Sequence, residues 1–190
     1  MDGERMTITD DTIIDDVLDR EKGEYTNRAG DRGGPTRWGV TQDTLAGWRA
    51  HPVSPEDVQL LTRDEAQAIY RAQYINAPGF SKIGDGALRG LLVDCGVLSG
   101  PKNAVRMLQR ALGVVDDGVF GPATEAALRL RSSKRLYIEV TAQRLSFLGR
   151  LVSKDLTDAD RDGIPDAAEN DWGWSNRVAD MLRDFAEGVL

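Results

Sequence analysis

Residues 21–41 read Glu21-Lys22-Gly23-Glu24-Tyr25-Thr26-Asn27-Arg28-Ala29-Gly30-Asp31-Arg32-Gly33-Gly34-Pro35-Thr36-Arg37-Trp38-Gly39-Val40-Thr41. Gly23, Gly30, Gly33, Gly34, Pro35 and Gly39 break any helical continuation. Tyr25-Thr26 and Thr36-Arg37-Trp38-Gly39-Val40 have the composition of two short strands, with Asp31-Arg32-Gly33-Gly34 near the turn of a hairpin. A glycine-dense turn exposes its backbone and lets a ligand come close. Asp31, placed there, is expected to be solvated and ionised.

Upstream, residues 9–20 have the pattern of a helix. Thr9 and Asp10 offer N-caps, and Asp11 adds negative charge to the first turn. Ile13, Ile14, Val17 and Leu18 recur at helical spacing and form one apolar stripe. Glu21 lies three past Leu18 and four past Val17, on the same stripe. Two readings of Glu21 stay open on this pattern: a carboxyl at the inner end of an apolar face, partly desolvated and so held protonated, or a surface glutamate at a helix end. One protonated and one ionised carboxylate are what glycoside hydrolysis uses.

The run from Glu21 to Thr41 resembles the N-terminal signature of phage-type N-acetylmuramidases, glycoside hydrolase family 108. That signature reads roughly E-G-G-Y, a few residues, then D-x-G-G-x-T-x-x-G-I-T, and the match is nearly complete over 31–41. The first part departs: Glu21-Lys22-Gly23-Glu24-Tyr25 is one residue longer, and Glu24 is a rival for the acid. The resemblance implies Glu21 as catalytic acid, Asp31 as second carboxylate and Thr36 as a residue that helps hold the attacking water. Tyr25 and Trp38 become candidates for lining a sugar groove, and each could equally be packing.

Beyond the hairpin, Thr41 can cap a helix at 42–49. Thr62-Arg63-Asp64-Glu65 has capping-box spacing and opens a helix near 63–75, with Ala66, Ile69, Tyr70 and Tyr74 as its inner face. Residues 85–98 form a further helix with Leu88, Leu91, Leu92 and Cys95 inward. Asp94 matches an aspartate of the family's D-x-x-V-N-S-G-like run, but Leu98 replaces the asparagine, and Asp94 reads as structural. Helices follow at 101–112, ended by Gly113, and at 122–131, with Pro122 in the first turn. The segment L-Q-R-A-L-G-V…D-G-V-F-G-P-A-T around 108–124 resembles predicted peptidoglycan-binding domains that follow the muramidase module. A structural helical lobe is the other reading of this segment.

Composition limits the alternatives. The chain has 190 residues, 41% apolar and 29% charged, ordinary for a globular protein. No run of eighteen apolar residues exists, so no membrane span is expected. The start, Met1-Asp2-Gly3-Glu4-Arg5, lacks the pattern of a secretory signal, so synthesis in a host cytoplasm and delivery by a separate membrane-permeabilising, holin-type protein are expected. Cys95 is the single cysteine and His51 the single histidine, which excludes disulfides and Cys/His zinc sites. A net charge of −7 opposes nucleic-acid binding.

More than half of that charge sits in one loop. Residues 158–169, Asp-Ala-Asp-Arg-Asp-Gly-Ile-Pro-Asp-Ala-Ala-Glu, follow the EF-hand pattern. Asp158, Asp160 and Asp162 occupy positions 1, 3 and 5, glycine position 6, Ile164 the backbone-carbonyl position 7, Asp166 position 9 and Glu169 position 12. A long helix over about 133–155 precedes the loop, and an amphipathic segment over about 171–187 follows. Ca2+ is the expected ligand.

The expected protein is mainly α, lysozyme-like α+β, with one small β-hairpin near 25–41 and a C-terminal helix-loop-helix. Residues 1–98 would form the catalytic part and 99–190 a peptidoglycan-binding-like part, packed as one monomeric globule. The resemblance implies an endolysin that cleaves the β-1,4 bond between N-acetylmuramic acid and N-acetylglucosamine in the cell wall. A lytic transglycosylase, a chitinase-like glycosidase and a non-catalytic, calcium-dependent wall binder are the alternatives.

Overall fold

A computed structural model of the chain describes residues 8–27, 33–155, 175–183 and 185. It is mainly helical, with one two-stranded antiparallel hairpin, as the sequence pattern leads one to expect. The chain forms two compact units, Thr9–Phe80 and Met1–Ile8 with Ser81–Leu190.

The first unit begins with α1, Asp10–Glu21. Thr9 caps it, and Thr9 and Thr12 exchange side-chain and backbone hydrogen bonds in a capping box. The expected stripe, Ile13, Ile14, Val17 and Leu18, is buried. Lys22 ends the helix in the left-handed region at φ 58°, and its N–H donates to Leu18 O. Strands β1 (Thr36–Arg37) and β2 (Val40–Thr41) pair antiparallel, Thr36 opposite Thr41 and Arg37 opposite Val40. Their two-residue loop has positive φ at both positions, 53° at Trp38 and 70° at Gly39, the signature of a type I′ turn. The pairing of Thr26 with Thr36 exists as a single bridge. Thus 36–40, readable as one strand, is itself folded at Trp38-Gly39.

Thr41 then caps α2 (Gln42–Arg49), and Ser54 caps a short α3 (Pro55–Gln59), which has no counterpart in the sequence expectation. Thr62 caps α4, Arg63–Tyr70. Beyond Tyr70 the coil widens into a π turn, Arg71–Asn76, in which Ala77 N donates to Ala72 O at 2.9 Å. A polar seam joins α4 to α1: Arg63 pairs with Asp15 at 2.9 Å and Asp19 at 2.8 Å, and Gln67 Nε2 donates to Asp15 at 2.7 Å. Arg63 and Gln67 hold the Asp15 carboxyl below its ordinary pKa.

The second unit is built on α5, Gly86–Ser99, capped by Asp85. Leu88, Leu91, Leu92, Val93, Asp94, Cys95 and Gly96 are all buried along it, which makes it a central rather than a one-faced helix. It packs with α6 (Pro101–Leu112) and α8 (Ser133–Asp155), and α7 (Pro122–Arg129) packs on α6. Gly113, left-handed at φ 75°, closes α6 as expected. Buried Gln109 pins the following loop: Nε2 donates to Asp117, Val119 O and Thr124, and Oε1 accepts from Gly118 N at 2.8 Å. Asp94 is buried and accepts from the fully buried Arg144 at 2.5 Å, with Arg177 at 3.4 Å. Beside this pair, burial pushes the Cys95 thiol up to about 12, so it is inert at neutral pH.

Candidate active site

The candidate proton donor closes the first helix. Val17 and Leu18 are buried, and α1 then stops: Lys22 and Gly23 both take positive φ, and Gly23 N donates to Glu21 O at 2.8 Å. Glu21 is therefore presented at a helix end and is solvent-exposed. The desolvated position that the stripe suggests is not found, because the last helical turn overruns the core that Val17 and Leu18 fill.

Instead, Glu21 lies against backbone. A Cβ built on Gly39 would sit 3.1 Å from Glu21 Oε2 and 3.2 Å from its Cδ, and would also overlap the Tyr70 hydroxyl. Only glycine gives this approach, and only glycine takes its φ without strain. The carboxyl, the type I′ turn and the end of α4 therefore meet at one point.

Five side chains surround that junction. The Trp38 ring covers Gly23 so closely that any Cβ there would collide with it. The Arg63 guanidinium stands 5.4 Å over the Trp38 ring, a cation–π arrangement. Arg37 Nε donates to Gly23 O at 3.2 Å, and its Nη1 donates to Gln59 O. From the other side, Tyr70 Oη donates to Trp38 O at 3.1 Å, and Tyr74 stacks on Tyr70 with centroids 5.2 Å apart. Burial raises the pKa of both phenols, and the charge of Glu21 adds to it. Both tyrosines are thus neutral and lie within the field of Glu21.

Thr36 is half-buried in β1, and its Oγ1 donates to Gly34 O at 3.0 Å. With its proton committed, this hydroxyl can only accept from a further partner. Tyr25 is half-buried next to the Thr26–Thr36 bridge, and Glu24 is exposed. Asp31 lies outside the described residues, as do the expected calcium ligands Asp158, Asp160, Asp162, Ile164, Asp166 and Glu169. Among the described residues, no group of three or more His, Cys, Asp or Glu could hold a metal. No described helix is long and apolar enough to cross a membrane.

Sequence reasoning missed Gly39, Tyr70 and Tyr74 as parts of this site. Tyr70 and Tyr74 carry only the helical spacing of core residues, and Tyr70 is indeed 4% exposed. The paired positive-φ positions at Trp38-Gly39 were signalled by the glycine alone.

Residues 14–100 match the family described as Glycosyl hydrolase 108, and residues 103–179 match the Predicted Peptidoglycan domain. Among solved structures, the chain is similar to that described as Structure of Brucella abortus SagA, at 29% identity and a TM-score of 0.75 over 95% of each chain. No curated protein matches. The first match covers the residues that hold Glu21 and the Gly39 turn, and the second covers the helices that follow α5.

Proposed function

We propose that this glycosyl hydrolase acts on peptidoglycan as a muramidase, cleaving the β-1,4 bond between N-acetylmuramic acid and N-acetylglucosamine. The observation that carries the reading is the exposed carboxyl of Glu21, held against the Gly39 turn inside a Glycosyl hydrolase 108 domain. Glu21 gives its proton to the glycosidic oxygen as the bond to the anomeric carbon breaks. Asp31 orients the incoming water or stabilises the positive charge that develops on the sugar. Thr36, its own proton on Gly34 O, accepts a hydrogen bond from that water. Water adds to the anomeric carbon, and the products are a new reducing end and a free 4-hydroxyl. Tyr25 and Trp38 border the sugar path.

The Predicted Peptidoglycan domain supports a second contact with the same polymer. Residues 158–169 bind Ca2+ in our reading, so that the protein is more stable in a calcium-containing envelope than in cytoplasm. Its biological role would be host-cell lysis by an endolysin made in the cytoplasm and released to the wall by a holin-type partner. The test is turbidity loss of purified peptidoglycan with release of new reducing ends. Wild type should clear the suspension, and Glu21→Gln should not. Clearing by Glu21→Gln at the wild-type rate would reject Glu21 as the acid.

A further inference from the structure

We infer that Tyr70 is a positioning residue for Glu21, acting through the Trp38–Gly39 turn; this rests on the reading of Glu21 as proton donor. Glu21 has no rigid setting of its own. It is the last residue of α1, it is exposed, and the two residues after it are in the left-handed region. What borders the space its carboxyl can occupy is the Gly39 turn, where the Glu21 carboxyl and the Tyr70 hydroxyl both lie beside the place that a Cβ on Gly39 would fill.

The hairpin that carries Gly39 is short, with two residues in each strand. Such a ribbon does not hold its own tip. The tip is tied to two helices, and Arg63 of α4 also covers the Trp38 ring. The Trp38 ring lies on Gly23, which binds the tip to the end of α1. The Trp38 carbonyl accepts from Tyr70 at 3.1 Å, which binds it to α4. Tyr70 is itself immobile, because it is buried and stacked on Tyr74.

Residues four apart share one face of a helix, and the Tyr70 and Tyr74 rings meet at 28° between planes where α4 passes into the π turn Arg71–Asn76. The hydroxyl of Tyr70 becomes a fixed post under the turn against which Glu21 rests.

The test uses the full chain on soluble glycan strands, where kcat and KM separate, well below the melting temperature of every variant. Tyr70→Phe keeps the ring and its stacking and removes the hydrogen bond. The expected result is a kcat lowered by about tenfold or more, since misplacing a catalytic group by about 1 Å can cost about 100-fold, with KM within about twofold of wild type. Introduced into Glu21→Gln, Tyr70→Phe should cause no further loss. A Tyr70→Phe enzyme with wild-type kcat, or one whose defect lies in KM, overturns the inference. So does failure of Tyr70→Phe to fold, which would make Tyr70 a folding residue. An active Glu21→Gln rejects the parent reading, whatever Tyr70→Phe does.

Discussion

Gly39→Ala separates a backbone effect from a site effect. The backbone part is small. An alanine at φ 70° costs about 1–2 kcal/mol in the left-handed region. The stiffer unfolded chain returns about 0.4–1 kcal/mol, leaving roughly 1 kcal/mol. The site part is larger. The new methyl would lie 3.1 Å from Glu21 Oε2 and 3.2 Å from its Cδ, against a comfortable separation of about 3.5–4.0 Å. It would also overlap the Tyr70 hydroxyl. The carboxyl must therefore retreat by several tenths of an ångström and the overlapped phenol by about 1 Å, which predicts an activity loss of about tenfold or more. Gly113→Ala is the control. Its φ is 75°, and nothing lies within 4 Å of the added methyl, so it carries the same backbone cost and should keep full activity. Turbidity clearing and thermal melting are measured on both. Equal activity of the two variants would refute the proposal that the space beside Gly39 positions the Glu21 carboxyl for the reaction.

Three further outcomes are expected. Asp94→Ala strands the fully buried Arg144 and should cost about 3–5 kcal/mol, a melting-point drop of roughly 6–20 °C for a chain of this size; a drop of a degree or two in a thermal scan would show that Arg144 finds another partner. Arg49 donates to both carboxylate oxygens of Glu65 and holds that carboxyl below its ordinary pKa, so its contribution is complete above the unfolded value of about 4.3 and is lost as pH falls through the lowered folded value. Arg49→Met should then be less stable than wild type at neutral pH by on the order of 1 kcal/mol, with the gap closing in acid; urea melts at pH 7 and pH 3 that show the same gap would contradict it. If residues 158–169 bind calcium with an affinity on the order of 10 μM, calcium at about 1 mM should stabilise the fold by roughly 2.7 kcal/mol, and a melting temperature unmoved by chelator would remove calcium from the account.

The helices were legible wherever a cap coincided with an apolar period. Thr41 and Thr62 open α2 and α4 where their hydroxyls can accept from the third residue on. Pro101 and Gly113 bracket α6, and Pro122 opens α7. Helix α3 was not legible, although Ser54-Pro55-Glu56-Asp57 is a good start signal, because five residues are too few to show a period. The role of Asp94 as a structural residue agrees with its burial against Arg144. The sequence could place Asp94 on the inner face of α5, but its partner lies fifty residues further on.

The residues expected to do the chemistry, Glu21, Asp31 and Thr36, are marked by the resemblance to the family signature, while the helical pattern alone leaves Glu21 open between a buried acid and a surface glutamate. What holds Glu21 is written in backbone conformation. The Thr36–Val40 run has the composition of one strand, and it takes left-handed Trp38 and Gly39 to fold it into a tip. Tryptophan is a poor residue for positive φ, so local preference argues against the observed turn. The contacts of its ring with Gly23 and Arg63, and of its carbonyl with Tyr70, supply what the preference lacks. The same holds for the π turn, which no period announces and which the Tyr70–Tyr74 stack accompanies. Strain of this kind persists only where surrounding contacts over-determine it. Two such conformations border the exposed carboxyl that ends α1, and this is the physical ground for proposing that Glu21 does the chemistry.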